Sequence, residues 1–295
     1  MSTVNETAET TFNVLDKYAE ELQPEGRWRW QCVVRNGVRL PISASLEEGF
    51  LRLACRPKTI HRTACTLERA MLGNRTLAGG VKLALSSAGH GLFMTTDIAV
   101  LEQKQLHDRF RRALDGFHDG YRLLRSSSTQ SVRPAAEIDT VDSSLADLLR
   151  QVSWATTEHS PGSFSAALDA SSAPPARITM SGSGVVLGVE LVRANMAEES
   201  TRQALAVFLL TASGLLRLAR AFAEEENAQT SYGFQVCLTA TPALEEIDHG
   251  LAALSIAYRT CAREANALLS DAVARCYMAT RGVSTTNDHQ PEEEN

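Results

Sequence analysis

The chain has 295 residues, of which 44% are hydrophobic and 22% are charged, and its formal net charge is -6. This length and composition are typical of a globular protein with about two domains, and the net charge argues against a nucleic-acid-binding polycation. The sequence predicts neither a membrane span of about 20 apolar residues nor a secretory signal.

The cysteine pattern indicates reduced thiols. Six cysteines are present, and no two of them form a C-x-x-C pair. Without an export signal this pattern favours a cytoplasmic protein without disulfides. Cys55, His61 and Cys65 could be read as zinc ligands, but a fourth ligand is missing and the spacing matches no common zinc site. We therefore predict no metal site and no cofactor.

A change in composition predicts the domain organisation. Residues 126–141 are rich in Ser and Thr and poor in aromatic residues, which is typical of a linker. They separate a first module, residues 1–125, from a second module, residues 142–282. The remaining residues, 283–295, form an acidic tail that we expect to be disordered.

The first predicted element is a helix. Its apolar stripe has spacings of three and four residues and is formed by Phe12, Leu15, Ala19 and Leu22. Pro24 and Gly26 are expected to end it. Alternating apolar residues then predict strands over 28–34, 38–44 and 50–55.

Asn36-Gly37 predicts a hairpin between the first two strands. A two-residue loop would put the apolar residues of the two strands on opposite faces. A three-residue loop avoids this and pairs Val34 with Val38 and Trp30 with Ile42. The next turn would then place Leu51 opposite Ile42.

Four further elements complete the first module, with the order α-βββ-α-ββ-α. They are a helix over 61–76, strands over 81–85 and 92–96, and a helix over 102–124.

The second half repeats much of this order. We predict a helix at 145–152, strands over 164–169, 177–181 and 185–193, a helix from Asn195 through Phe222, and one strand over 231–240. The turn at Gly182-Ser183 pairs Met180 with Val185. A long helix from Thr241 to Cys276 carries a coiled-coil-like stripe, so we expect it to dock on another helix of this chain or of a second copy.

Strand alternation predicts a surface that we call the basic face. It places the tryptophans of the Arg-Trp-Arg-Trp run inward and the arginines outward, so stacking and charge would not converge on one surface as nucleic-acid binding requires. Because burying unpaired guanidinium groups is costly, this face should be open to water or to a partner. Its candidate partner-binding residues are Arg27, Arg29, Arg39, Phe50, Arg52 and Arg56.

No catalytic residues are predicted. The glycine-rich segment 182–188 is followed by a strand pattern, which favours a hairpin turn over a phosphate-binding loop. Neither a G-x-S-x-G motif nor a phosphate-loop lysine is present, and the histidines fit ordinary surface positions.

The order α-βββ-α-ββ-α resembles the fold of type III secretion chaperones, of the Tir-chaperone and YbjN types. The resemblance is carried by the predicted elements from residue 28 to residue 124. Chaperones of this family pair as homodimers of small domains, so the resemblance implies that a tandem chain is a covalent pseudo-dimer. It also implies a non-enzymatic role in holding extended segments of partner proteins.

These patterns together predict an α+β protein of two tandem modules, each a small antiparallel sheet flanked by helices. The predicted function is the binding of a protein or an extended, acidic peptide. The alternatives are a structural protein that self-associates through the long C-terminal helix, a nucleic-acid-binding protein, or an enzyme without a recognisable motif.

Overall fold

The computed structural model describes residues 2–36, 38–56, 63–86, 91–100, 103–125, 143–160, 162–169, 172–181 and 184–281. The predicted linker, residues 126–141, and the predicted tail, residues 283–295, lie outside these ranges. The described residues form an α+β protein with two antiparallel six-stranded sheets flanked by helices. None of the described helices combines the length and apolar character that a membrane span requires.

The described residues of the first module form three helices and six strands. Its elements are α1 (Ser2–Tyr18), β1 (Ala19–Gly26), β2 (Arg29–Asn36), β3 (Val38–Glu47), β4 (Phe50–Cys55), α2 (Ala64–Gly73), β5 (Lys82–Leu85), β6 (Leu92–Ala99) and α3 (Gln103–Arg125). The strand order across the sheet is β1-β2-β3-β4-β6-β5.

The second module has the same sheet topology. Its elements are α4 (Ser143–Leu149), β7 (Thr156–Ser160), β8 (Ser163–Ala166), β9 (Ala176–Ser181), β10 (Gly184–Asn195), α5 (Glu199–Leu215), β11 (Arg220–Glu226), β12 (Gln229–Cys237), α6 (Leu244–Ala267) and α7 (Asp271–Thr280). The strand order β7-β8-β9-β10-β12-β11 repeats that of the first sheet, so the chain contains an internal structural repeat.

The predicted boundary of the first helix is wrong. The helix ends at Tyr18, and residues 19–26 form the strand β1, which lies at the edge of the described sheet and pairs with β2. Pro24 explains why these residues form a strand and not a further part of the helix, because proline disrupts a helix interior but is tolerated on an edge strand.

The predicted faces of the meander are right, but its register is wrong. Val34 lies opposite Leu40 rather than Val38, and Leu51 lies opposite Leu46 rather than Ile42. Alternation with a period of two residues fixes which face a side chain occupies, but it does not fix its cross-strand partner. In the second module, the predicted pairing of Met180 with Val185 is confirmed.

Two predictions for the second half are also wrong. The helix that was expected to run through Phe222 ends at Leu215, and Phe222 itself belongs to β11. The single long helix is divided into α6 and α7 at residues 268–270. The stripe on α6 packs against β10 and β12 of its own sheet, so most of it is buried within the chain rather than left for a second copy.

Equivalent elements of the two modules face one another. Helix α2 packs against α5, α5 packs on β5, and α2 packs on β11, while β5 and β11 also touch. This reciprocal pattern is that of an isologous, two-fold-like interface within one chain. It covers the β5 and β11 edges and leaves β1 and β7 as the outer edges of the two sheets.

Candidate functional site

The outer side of the first sheet is exposed along β2 and β3. Alternate residues of β3 are buried while those between them are mostly exposed, as expected of a sheet with one covered face. Trp30 is buried as predicted. Arg27, Arg29, Arg39 and Arg56 of the basic face are exposed.

The expectation that these arginines lack partners is wrong for Arg39. The edge strand β1 brings Glu20 and Glu21 beside it, and the Arg39 Nε lies 3.5 Å from a Glu20 carboxylate oxygen. Arg35, which lies opposite Arg39, also pairs with Glu20. The sequence prediction missed these ion pairs because it placed β1 in a helix.

The second module covers one end of the basic face. Arg52 lies 3.5 Å from the carboxylate of Asp97 and donates a hydrogen bond to the carbonyl of Gly214 in the second module. The Arg217 guanidinium lies 5.1 Å from the centroid of the Phe50 ring. The prediction of an uncovered face is therefore wrong at Phe50 and Arg52, because the interface between modules could not be read from local alternation.

Two buried cations cross the interface between the modules. Lys82 and Arg220 are the first residues of β5 and β11, and each is only 1% exposed. The Lys82 ammonium donates hydrogen bonds to the carbonyls of Leu216 and Ala219. The Arg220 guanidinium donates to the carbonyls of Leu77 and Val81, at 2.7 and 3.0 Å. Each cation thus binds the loop that precedes the equivalent strand of the other module, and we call this pair the exchanged cations.

The strand registers show that the exchanged cations have equivalent neighbours. Lys82 lies opposite Thr95, and Arg220 lies opposite Gln235. Asp97 follows Thr95 by two residues, and its carboxylate lies 3.9 Å from the Lys82 ammonium. Cys237 follows Gln235 by two residues in the same way, and its sulfur lies 2.6 Å from Arg220 Nη2. A carboxylate therefore neutralises the cation in the first module, whereas a thiol holds the equivalent position in the second.

Burial controls the protonation of these groups. It lowers the pKa of Lys82 to about 8, although Asp97 acts in the opposite direction. It also raises the pKa of Cys237, although the charge and hydrogen bond of Arg220 oppose this. Because two N–H groups of Lys82 already bind carbonyls, its geometry is that of a structural link rather than of a free nucleophile.

A cleft opens where the two modules meet beside the exchanged cations. Its empty space, including the open mouth, is about 910 Å³. An ion pair spans it, since Arg109 Nη2 of α3 lies 2.9 Å from Glu246 Oε1 of α6 and both side chains are 12% exposed. Its further lining includes Phe50, Leu77, Lys82, Asp97, Ile98, Arg112, Leu218, Val236, Cys237, Leu238 and His249.

Sequence reasoning missed the residues of this cleft. Its charged side chains come from separate elements of both modules, and no spacing in the sequence connects them. The one available signal was a basic residue at the start of an apolar strand in each half, Lys82 and Arg220. A strand prediction for β11 would have been needed to recognise it.

The thiols of the described side chains are all free. Cys32, Cys55 and Cys261 are buried, and Cys276 is exposed. Burial raises the pKa of Cys32 to about 12, which keeps it a neutral, apolar side chain.

The residues that the structure describes contain no cluster of three or more His, Cys, Asp or Glu that could hold a metal ion. His61 lies outside the described residues.

Comparison of the chain with protein-family models, with curated proteins and with solved structures finds no match. The resemblance to secretion chaperones therefore stays a prediction.

Proposed function

We propose that the protein is a non-enzymatic, cytoplasmic, chaperone-like or regulatory protein that holds an extended acidic segment of a partner protein on its basic face. The observation that carries this proposal is the open outer side of β2 and β3, where Arg29 and Arg39 are exposed and no described element forms a second layer along these strands.

The charges on this surface favour an acidic occupant. Arg35 and Arg39 lie opposite each other and are already paired with Glu20 and Glu21, so the charge that remains without a carboxylate lies elsewhere on this surface. Arg29 and Arg56 have no ion pair with any described residue. Guanidinium groups bind carboxylates in a bidentate manner, so an extended chain with acidic residues at every second position would match this surface.

Two further observations support the proposal. The pairing of equivalent elements across the interface between modules is the arrangement that two fused copies of a homodimeric chaperone would adopt. The free cysteines of the described side chains fit a reducing compartment such as the cytoplasm.

The test uses a labelled 12-residue peptide of alternating Glu and Leu and measures its binding by fluorescence anisotropy. Charge reversal at Arg29 and Arg56 (Arg29→Glu with Arg56→Glu) should weaken binding at least tenfold. Arg39 and Arg52 are left unchanged because their partners Glu21 and Asp97 would confound the result.

The matched control reverses two exposed arginines on α3, Arg111→Glu with Arg122→Glu, which changes the net charge by the same amount. This control should retain most of the binding. Equal losses in both double variants would show that only net charge matters and would contradict the proposal, as would the absence of binding.

A further inference from the structure

The lining of the cleft between the modules has one more cation than it has carboxylates. Its cations are Lys82, Arg109 and Arg112, and its carboxylates are Asp97 and Glu246. Lys82 lies 3.9 Å from Asp97, and Arg109 lies 2.9 Å from Glu246, so each carboxylate already has a cationic partner. Arg112 has no ion pair or hydrogen bond with any residue that the structure describes. With histidine counted as neutral, the lining therefore favours a ligand with a single negative charge.

Arg112 lies at the mouth of the cleft, where a ligand can reach it from solvent. Its side chain is exposed on α3. Its backbone packs against the loop before β5, since a Cβ atom at Gly79 would lie 2.5 Å from the carbonyl carbon of Arg112. Residues 77–80 of that loop also line the cleft. An exposed guanidinium group in this position can form two parallel hydrogen bonds with a carboxylate without giving up another partner.

Apolar side chains from both modules form the inner wall of the cleft. Leu77, Ile98 and Val236 are buried, and Leu218 and Leu238 are partly buried. A wholly polar ligand would lose its water here without gaining hydrogen bonds in exchange. Apolar walls with a few polar groups are typical of sites for small molecules. The ligand should therefore carry an apolar body beside its charged group.

Backbone strain is present in the same wall. Leu218 has a φ of 61°, in the left-handed region that side chains other than glycine rarely adopt. The residues on both sides of it are held in place, because Arg217 donates to Glu48 and the carbonyl of Ala219 accepts from Lys82. Strain of this kind is often found at ligand-binding sites. Here it places an apolar side chain on the surface of the cleft.

We propose that the cleft binds a monocarboxylate with an apolar chain, of the medium-chain fatty acid class, whose carboxylate pairs with Arg112 at the mouth and whose chain lies along the apolar wall. Such a ligand has its charge at one end and its apolar part at the other, as the cleft does. Of the described residues of the basic face, only Phe50 lines the cleft, so this proposal does not depend on the peptide-binding proposal.

The test compares three probes by isothermal titration calorimetry with the full chain: octanoate, octanamide and acetate. Octanamide has the chain without the charge, and acetate has the charge without the chain. We expect octanoate to bind about tenfold more tightly than octanamide, because hydrogen bonds between charged groups contribute most to affinity. It should bind more than about a hundredfold more tightly than acetate, because each added methylene group strengthens binding about three- to fourfold.

Three results of this titration would overturn the proposal. Equal affinity for octanoate and octanamide would show that no cation reads the carboxylate. Equal affinity for octanoate and acetate would show that the apolar wall contributes nothing. The third result is the absence of octanoate binding at millimolar concentration.

A pair of variants locates the site. Arg112→Gln should weaken the binding of octanoate about fivefold or more and leave that of octanamide unchanged. Arg111→Gln is the control, because Arg111 is also exposed on α3 but does not line the cleft. Equal losses of octanoate binding in the two variants would also overturn the proposal.

The double variant of the basic face, Arg29→Glu with Arg56→Glu, separates this site from the peptide-binding surface. Neither residue lines the cleft, so the variant should retain the binding of octanoate even if it no longer binds the acidic peptide. A loss of octanoate binding as large as that of Arg112→Gln would place the ligand on the basic face and contradict the proposal.

Discussion

At the scale of single residues, the exchanged cations make each module depend on the other. A buried charge is tolerated only when polar groups replace the water that it loses. Lys82 and Arg220 find these groups in the carbonyls of the opposite module. A charged residue at the start of a strand is most simply read as exposed, so this burial could not be predicted from the sequence.

The depressed pKa of Lys82 predicts a pH dependence of stability. The pKa falls from 10.5 in the unfolded chain to about 8 in the folded one. Between these values the unfolded chain binds more protons than the folded chain does, so the free energy of unfolding rises with pH over this range. This rise in the free energy of unfolding is complete above pH 10.5, and it is lost as the pH falls to 8.

Urea unfolding of the wild type and of Lys82→Met across pH 7.5 to 10 measures this contribution. The difference in stability between the two should widen as the pH rises above 8, while contributions from the buried thiols cancel. The control is Lys17→Met, because Lys17 is exposed. The difference in the free energy of unfolding between this variant and the wild type should stay constant over the same pH range. A constant difference for Lys82→Met would contradict the prediction.

At the scale of elements, the loop before β5 approaches α3 closely. Gly79 has a φ of +60°, and a Cβ atom there would lie 2.4 Å from the backbone nitrogen of Ala113. Only glycine fits both the left-handed conformation and the lack of space. This contact positions Arg109 and Arg112 of α3 beside the cleft.

Gly79→Ala tests this close approach against Gly49→Ala. Gly49 also has a positive φ, but nothing lies within 4 Å of its Cβ position. Gly49→Ala should therefore cost only the left-handed strain, about 1 kcal/mol. Gly79→Ala should cost about 1 to 3 kcal/mol more because of overpacking. If urea unfolding shows that both variants lose the same free energy of unfolding, α3 can move away from residue 79 without cost and the prediction is contradicted.

The spacing of apolar residues predicted strands and helices correctly where the buried side chains follow that spacing, and it failed where they do not. The inward faces of the first meander and the pairing of β9 with β10 follow from alternation. Strand β1 was missed because Ala19 and Leu22 continue the helical spacing of α1. Strand β11 was missed in the same way, because Ala219 and Phe222 continue the stripe of α5.

The cleft could not be predicted for a different reason. Its ion pair joins α3 to α6, and Arg52 reaches Gly214 across 162 positions of the sequence. Such contacts depend on how two finished sheets pack, which local periodicity does not encode.

At the scale of the whole molecule, the repeat of topology and the reciprocal interface describe a pseudo-dimer within one chain. Both inner sheet edges, β5 and β11, are covered at this interface, which protects them from pairing with other chains. The two modules should therefore unfold together rather than as independent domains.

Hydrogen exchange of wild type and Arg220→Met tests this central claim most directly. The substitution removes the donor from buried carbonyls of Leu77 and Val81 and should lower the free energy of unfolding by about 3 kcal/mol. We predict that the slowest-exchanging amides of β5–β6 in the first module lose the same protection as those of β11–β12 in the second. Loss of protection in the second module alone would contradict the account.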